Sequence, residues 1–387
     1  MHPRFVFFNV FMLVTAVVAL TALGVVMLTS TGAYAQDAKG DPFLFFKNQL
    51  QWLVVGVIVC VTAAIVDYRH LEKRWWWLYL LAAVLLACCF VPNLGREING
   101  AKRWIRVGGQ TFQPSELGKL AALVGLAWWY ARKETDPKSF LRGFVYPLLG
   151  VGFLIALIVP EVDLGTSALI GCATLLVMFV AGTRMVYLVL LASAGAAALY
   201  GAIQLMPERA GRFLAFLYPE SYPEDAYQQL QGLISLGAGG PWGLGLGNGR
   251  QKFFYLPYAH TDFIFPMIGE EMGLPFTLLV VFLFLVLLTA GVVIATRASD
   301  RFGKLLGFGL VALVTLQAIL NLGVTTMLLP NKGLPLPFIS YGGSNLVFCL
   351  TAVGILISIY RRGHGERRNP EAAFFAVKGK KGKTPRI

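Results

Sequence analysis

The sequence predicts an all-α polytopic membrane protein with about ten transmembrane helices and one large outer loop. Of its 387 residues, 57% are hydrophobic and only 14% are charged, whereas a soluble domain carries about 25% charged residues. The apolar residues form continuous runs and do not alternate as they do in an outer-membrane β-barrel. The mean hydropathy of +0.66 also excludes a disordered chain, a disulfide-rich secreted module and a collagen-like fibre.

Ten apolar runs predict the spans, and we expect residues 1–360 to form a single membrane domain. The runs lie near residues 5–29, 50–66, 75–92, 115–131, 143–160, 166–182, 185–205, 263–294, 305–329 and 343–360. The first run, at about 25 residues, is longer than a signal-peptide core of roughly 7–15 residues. We therefore expect an uncleaved first span, although Ala33-Tyr34-Ala35 resembles a signal-peptidase site.

The distribution of basic residues predicts that both termini are cytoplasmic. The tail, residues 361–387, holds nine Lys and Arg against two Glu, which is +7 of the formal charge of +13. With ten spans the inner side carries 21 Lys and Arg and the outer side 11, as the positive-inside rule requires; without the tail the count is 12 to 11. We expect the tail to be unfolded and to contact anionic lipid headgroups, which makes nucleic acid an improbable partner.

Neither the five cysteines nor the four histidines predict a metal site or a disulfide. Each cysteine lies inside an apolar run, without metal-binding spacing, and the histidines are scattered. We therefore expect no protein metal site, and the sequence requires no cofactor. The cysteines are Cys60, Cys88, Cys89, Cys172 and Cys349.

Ionisable residues at membrane depth cost about 2.5–3.5 kcal/mol each, so each is a functional candidate. Glu116 and Lys119 lie three residues apart at the start of the fourth span, on one helical face. They form either a self-neutralising pair or a phosphate site, in which Lys119 binds the anion and Glu116 holds Lys119.

Two carboxylates stand beside the outer ends of spans, and each has two interpretations. Asp163 either caps the sixth span or acts as a functional carboxylate. Asp262 either caps the eighth span or, beside His260 at the membrane boundary, acts as a general base.

The outer loops are the predicted ligand-binding regions. Residues 93–114 and about 206–262 hold eight of the 11 outer Lys and Arg, which suits an anionic amphipathic ligand such as a lipid phosphate. Eight glycines between residues 232 and 249 match no P-loop and predict a tightly turned segment against the membrane. Glu270 and Glu271 follow without a cation in the same stretch, so at least one should face a polar cavity or another helix.

Five stretches in one order resemble the SEDS family (shape, elongation, division and sporulation) of peptidoglycan polymerases. They are Asn99-Gly100-Ala101-Lys102-Arg103-Trp104-Ile105, Gln113-Pro114-Ser115-Glu116 with Lys119, Asp163-Leu164-Gly165-Thr166, His260-Thr261-Asp262-Phe263-Ile264-Phe265, and Gly333-Leu334-Pro335-Leu336-Pro337-Phe338-Ile339-Ser340-Tyr341-Gly342-Gly343-Ser344.

The stretches at 245–257 and 269–271 are more similar to the division branch of the family (FtsW) than to the elongation branch (RodA). Three residues depart from the family pattern: Val162 replaces a proline, Tyr258 a glutamate and Asn345 a serine. None of the three is the expected catalytic residue.

The resemblance implies a glycosyltransferase that polymerises lipid II during septal cell-wall synthesis in the bacterial inner membrane. It implies that Asp262 deprotonates the acceptor hydroxyl while Lys119, held by Glu116, and Arg103 and Arg212 bind the diphosphate. Further candidates for substrate contact are His260, Asp163, Glu271 and Ser340.

The resemblance also implies a class B penicillin-binding protein, an FtsI-like transpeptidase, and other divisome proteins as partners. Mg²⁺ shared between carboxylates and the diphosphate is compatible with the sequence but not required by it. The alternatives are a lipid II flippase and a scaffold that activates the partner transpeptidase.

Overall fold

The computed structural model describes residues 3–32, 41–92, 94–98, 101–107, 110–204, 207–253 and 255–368. The α-helices in this part of the chain are α1 (Pro3–Thr31), α2 (Leu44–Ile65), α3 (Arg69–Lys73), α4 (Trp75–Cys88), α5 (Pro114–Ala131), α6 (Tyr146–Ile158), α7 (Leu164–Ala181), α8 (Met185–Gln204), α9 (Pro207–Leu217), α10 (Pro223–Gly239), α11 (Ile264–Thr296), α12 (Arg301–Thr325) and α13 (Gly343–Arg368). The strands are β1 (Gly95–Ile98), β2 (Ala101–Val107) and β3 (Gln110–Phe112).

Each predicted span coincides with a helix, so the polytopic all-α fold is confirmed. Among the described residues, seven helical segments are long and apolar enough to cross a membrane: Phe8–Thr31, Leu44–Ile65, Leu141–Glu161, Leu164–Ala181, Ile264–Thr296, Arg301–Thr325 and Gly343–His364. The apolar stretches of α4 and α8 are shorter, and α5 carries Glu116 and Lys119 near its start. Ten crossings with both termini inside therefore stay a prediction.

The bundle is built around α12, which is largely buried and packs against α5, α7 and α11. Its close approach to α5 and α7 depends on a small residue, because a Cβ on Gly309 would lie 3.0 Å from Leu123 and from Val177. At the periphery α2 packs along α13 and leaves apolar side chains such as Ile58 and Val61 exposed. An apolar exterior of this kind suits a bundle surrounded by lipid.

The last helix extends beyond the predicted end of its span at residue 360. α13 continues to Arg368, and Arg362 forms a 2.8 Å ion pair with Asp67, in the connection between α2 and α3. The predicted tail residues 369–387 and the signal-peptidase-like site at 33–35 lie outside the described residues.

Residues 93–114, predicted only as a loop, contain a three-stranded antiparallel sheet in the order β1-β2-β3. β2 is the central strand and pairs Ile105 with Phe112 of β3. Alternate residues of a strand face opposite sides. Ala101 and Ile105 are buried, but the alternation is interrupted between them: Arg96 pairs with Trp104 and Glu97 with Lys102, so Arg103 has no partner on β1. The side chain of Arg103 is 27% exposed and reaches Asp163 of the bundle.

The outer loop contains two helices, α9 and α10. Its glycine-rich end forms backbone hydrogen bonds to α11 at a point where that helix is interrupted. Gly273 has a φ of 77° and interrupts α11. The carbonyls freed by the break accept backbone hydrogen bonds from the loop: Leu244 N donates to Glu270 O and Gly245 N to Glu271 O, each at 2.9 Å. The loop thus supplies the hydrogen bonds that the interrupted helix lacks.

Glu270 and Glu271 anchor the same loop, and a cation does pair with one of them. Lys252 Nζ lies 2.7 Å from Glu271 Oε1, with both side chains almost fully buried. Ser30 of α1 donates to Glu271 at 2.7 Å, and Glu270 accepts the Arg250 N–H at 2.7 Å. Lys252 belongs to the outer loop and lies outside the stretch of sequence around the two glutamates. The local sequence therefore does not reveal this ion pair.

We expect Lys252→Met to destabilise the fold by about 3–5 kcal/mol, because it leaves the Glu271 carboxylate buried without a counter-ion. Thermal unfolding of the purified protein in detergent measures the effect. Lys47→Met is the matched control: its 2.9 Å pair with Asp41 is exposed, so the loss should be within about 1 kcal/mol. Equal melting temperatures for the two variants would contradict the anchoring role.

Candidate active site

Asp262 lies at the end of the outer loop, directly before α11, and remains partly solvent-accessible. The N-cap of α11 is Phe263, without any side-chain capping bond, so the interpretation of Asp262 as a helix cap is wrong. Its Oδ2 lies against Gly333, where an added Cβ would be only 2.7 Å away. Gly333 therefore leaves room for the carboxylate.

Two amide side chains of α12 hold Asp262 and the segment that faces it. Asn321 Nδ2 donates to Asp262 O at 2.8 Å and to Leu334 O at 2.7 Å. Gln317, one turn earlier, donates to Pro335 O at 2.8 Å. Neither Asn321 nor Gln317 was among the predicted site residues, although two polar residues four apart within an apolar span are a signal for a shared polar face.

Two other predicted residues, Ser340 and His260, lie beside Asp262 in contacts that hold the loops together. Ser340 Oγ donates to Thr261 O at 2.6 Å and accepts the Leu336 N–H at 2.8 Å. The His260 ring packs against Phe45 with 4.4 Å between ring centroids. Their contacts position the segment that carries Asp262.

Three charged residues surround Asp262 closely enough to affect its ionisation. Burial raises the pKa of Asp262 to about 6 from its ordinary 3.8; the guanidinium groups of Arg103 and Arg212 oppose this rise, and the Asp163 carboxylate adds to it. Asp262 is thus a carboxyl group that is ionised near neutral pH yet basic enough to accept a proton.

Asp163 combines both of its predicted roles. Its Oδ1 accepts the Thr166 N–H at 3.0 Å and so caps α7. Its Oδ2 accepts Gln113 Nε2 at 3.0 Å, and Arg103 Nη1 lies 4.0 Å from Oδ1. The cap fixes Asp163 beside Arg103, and its negative charge acts on Asp262 from there.

The structure favours the self-neutralising interpretation of Glu116 and Lys119. Lys119 Nζ lies 2.7 Å from Glu116 Oε2, and the two side chains are only 1% and 6% exposed. Lys119 also donates to Gln317 Oε1 at 3.0 Å and lies 4.5 Å from the centre of the Phe348 ring. The pair is therefore linked to the segment beside Asp262 through Gln317 of α12 and is itself almost closed off from solvent.

Apart from His260 and Ser340, the predicted residues around the candidate base divide into three groups. Arg103, Arg212 and Asp163 lie around Asp262, whereas Glu116 and Lys119 support it from within the bundle. Glu271 belongs to the loop anchor with Lys252. Within the described ranges no group of three or more His, Cys, Asp or Glu could hold a metal ion.

A lone accessible carboxylate beside two guanidinium groups suits one kind of chemistry. It can accept a proton from a hydroxyl group while the cations stabilise negative charge on a departing anion. Placed at the end of an outer loop of a multi-span bundle, this arrangement fits a membrane-embedded transferase that releases an anionic leaving group.

Comparison with known proteins identifies the family. The family model described as "Cell cycle protein", which covers FtsW, RodA and SpoVE, matches residues 11–364. The "Probable peptidoglycan glycosyltransferase FtsW" of Geobacter metallireducens is 39% identical over 350 residues, which are 90% of this chain and 93% of the relative. Stage V sporulation protein E of Bacillus subtilis is 38% identical over 359 residues, 90% and 96% of the two chains.

Solved structures of other proteins are also similar to this chain. A chain from a peptidoglycan synthase complex that coordinates polymerization and crosslinking has a TM-score of 0.76 at 28% identity, over 91% of this chain and 97% of that one. RodA of Thermus thermophilus has a TM-score of 0.66 at 26% identity, over 90% and 95%. The chain belongs to the FtsW, RodA and SpoVE family, and the predicted resemblance and enzyme class are confirmed.

We expect Asn321→Leu to lower the rate of glycan-chain formation roughly 10²-fold, because a displacement of about 1 Å at Asp262 is enough for such a loss. Thr315→Val is the matched control on α12, since that hydroxyl bonds only to Val311 O of its own helix. Rates are measured with purified variants of equal melting temperature. An Asn321→Leu rate within twofold of the control would contradict the positioning role.

Proposed function

We propose that this chain polymerises lipid II, a disaccharide-pentapeptide joined through a diphosphate to an undecaprenyl chain, and that Asp262 is its general base. The observation that carries this proposal is the state of Asp262. Its carboxylate caps no helix, keeps solvent access, and has a pKa of about 6 beside Arg103 and Arg212. The relatives named as peptidoglycan glycosyltransferases supply the reaction class.

In the proposed step Asp262 accepts the proton of the acceptor 4-hydroxyl. The resulting oxygen nucleophile attacks the anomeric carbon of the donor, and the bond from that carbon to the diphosphate breaks. A positioned base contributes about 10²–10⁴-fold to such a rate. The diphosphate is already a good leaving group, so one carboxylate suffices where a glycosidase needs two.

Arg103 and Arg212 are the cations proposed to neutralise the diphosphate, because they are the two whose charges act on Asp262. Lys119, also predicted for this role, is buried against Glu116, Gln317 and Phe348, and we propose that it supports the site instead.

The setting of the reaction is part of the proposal. We propose that the active site opens on the outer face of the inner membrane at the division septum, with both termini in the cytoplasm. The FtsW relatives support the septal role. The similar chain from a peptidoglycan synthase complex supports a class B penicillin-binding protein as the partner.

Transport of lipid II across the membrane is the competing function. Its main support in the sequence was the set of ionisable residues at membrane depth. In the structure Lys119 pairs with Glu116 and Lys252 with Glu271, at 2.7 Å in both cases. These four side chains are at most 6% exposed, so none of them lines an open path. This lack of exposure supports catalysis at Asp262 over transport.

We expect Asp262→Asn to abolish glycan-chain formation while the protein folds and reaches the membrane, because the amide cannot accept the proton. The assay uses protein purified in detergent with lipid II, where no transport across a membrane contributes. Glu220→Gln, an exposed acidic residue of the same outer loop, is the control and should polymerise like the wild type. Polymerisation by Asp262→Asn at the wild-type rate would remove Asp262 from the mechanism.

A further inference from the structure

Two buried polar groups near the proposed base are incompletely hydrogen-bonded. Glu161 is fully buried, and its carboxyl oxygens have no hydrogen-bond partner of ordinary geometry among the described residues; the thiol of Cys89, a weak donor, is the neighbour that interacts with it. The Nε of Arg103 is likewise buried and donates to none of the described residues. Unsatisfied buried polar atoms are rare in folded proteins and call for an explanation.

The local structure brings these two groups together. Glu161 ends the short 3₁₀ turn Val159–Glu161, which packs against β2, the strand that carries Arg103. The next residue, Val162, adopts a φ of 64°, a conformation that a β-branched residue rarely takes. Strain of this kind persists where the surrounding structure enforces it and is common at functional sites.

Arg103 is not fixed by its nearest carboxylate in this structure. Its Nη1 lies 4.0 Å from Asp163 Oδ1, too far for a hydrogen bond. Both oxygens of Asp163 already accept bonds, from Thr166 N and Gln113 Nε2. Arg103 also lies close enough to Glu161 and Asp262 to interact electrostatically with both.

We propose that Glu161 is the positioning residue of Arg103. When a diphosphate enters, the guanidinium turns so that Nε donates to Glu161 and the outer nitrogens face the ligand. A planar guanidinium held through Nε presents its remaining donors in a fixed direction, which suits the oxygens of a phosphate. Glu161 itself touches no substrate. This inference rests on the proposed function. It adds Glu161, which was not among the predicted site residues, to the residues that serve that function.

A double-mutant cycle between Glu161 and Arg103 tests the inference, with inorganic pyrophosphate as the probe. Calorimetry measures its binding to purified wild type, Glu161→Gln, Arg103→Lys and the double variant. We expect Glu161→Gln to weaken binding roughly 10- to 100-fold, as for other residues that orient a ligand-binding group. In the Arg103→Lys background the same change should have little effect, because lysine has no Nε to orient.

The melting temperature and the KM for lipid II distinguish a positioning role of Glu161 from a purely structural one. The melting temperature of Glu161→Gln should equal or exceed that of the wild type, since the change removes a buried carboxyl group whose only hydrogen-bonding neighbour is the weak Cys89 thiol, while its KM for lipid II rises. Glu97→Gln, an exposed carboxylate on β1, is the control and should bind pyrophosphate like the wild type. Glu161→Asp, which keeps the charge but withdraws it by one methylene, should also weaken binding.

Equal losses from Glu161→Gln in the two backgrounds, or wild-type binding in either Glu161 variant, would overturn the inference. A lower melting temperature together with unchanged pyrophosphate affinity would assign Glu161 a purely structural role and overturn it too. Failure of the wild type to polymerise lipid II would instead contradict the proposed function, so the two failures are distinguishable.

Discussion

The position of Asp262 depends on one buried amide group of α12. Asn321 bonds the carbonyl of Asp262 and the carbonyl of Leu334 at once. It thereby joins the end of the outer loop to the segment that contains Gly333, against which the carboxylate lies. Gln317 likewise donates a hydrogen bond to Pro335 O, and its side-chain oxygen accepts one from Lys119 of α5. A functional carboxylate on a loop is held by rigid helices in this way.

Ionisable residues within the bundle fall into two classes: those that form an ion pair with a neighbour and those that do not. Glu116 with Lys119 and Glu271 with Lys252 are paired and hydrogen-bonded, which offsets much of the cost of removing each charge from water. Such pairs connect helices and anchor the outer loop. Groups without such partners are the ones that can exchange a proton or a contact during a reaction.

The spans and the candidate base were predictable because each rests on a local pattern. Long apolar runs predict helices, and the stretch His260-Thr261-Asp262 drew attention to its carboxylate. The sheet was not predictable, since its strands have four, seven and three residues and show too few alternations. α9 and α10 are not continuously apolar, so a search for spans passes over them. The pairing of Lys252 with Glu271 depends on how the loop folds back across α11, which local sequence does not encode.

The central claim is that Asp262 acts as a base whose ionisation is set by its burial and by the charges around it. The pH dependence of kcat/KM for lipid II, in the wild type and in Arg212→Gln, tests it most directly. Activity requires the deprotonated carboxyl group, so it should be constant above its pKa of about 6 and fall about tenfold per pH unit below it. Loss of the Arg212 charge should move this transition to higher pH. A profile that is flat from about pH 5 to 7, or a transition that Arg212→Gln leaves in place, would contradict the account.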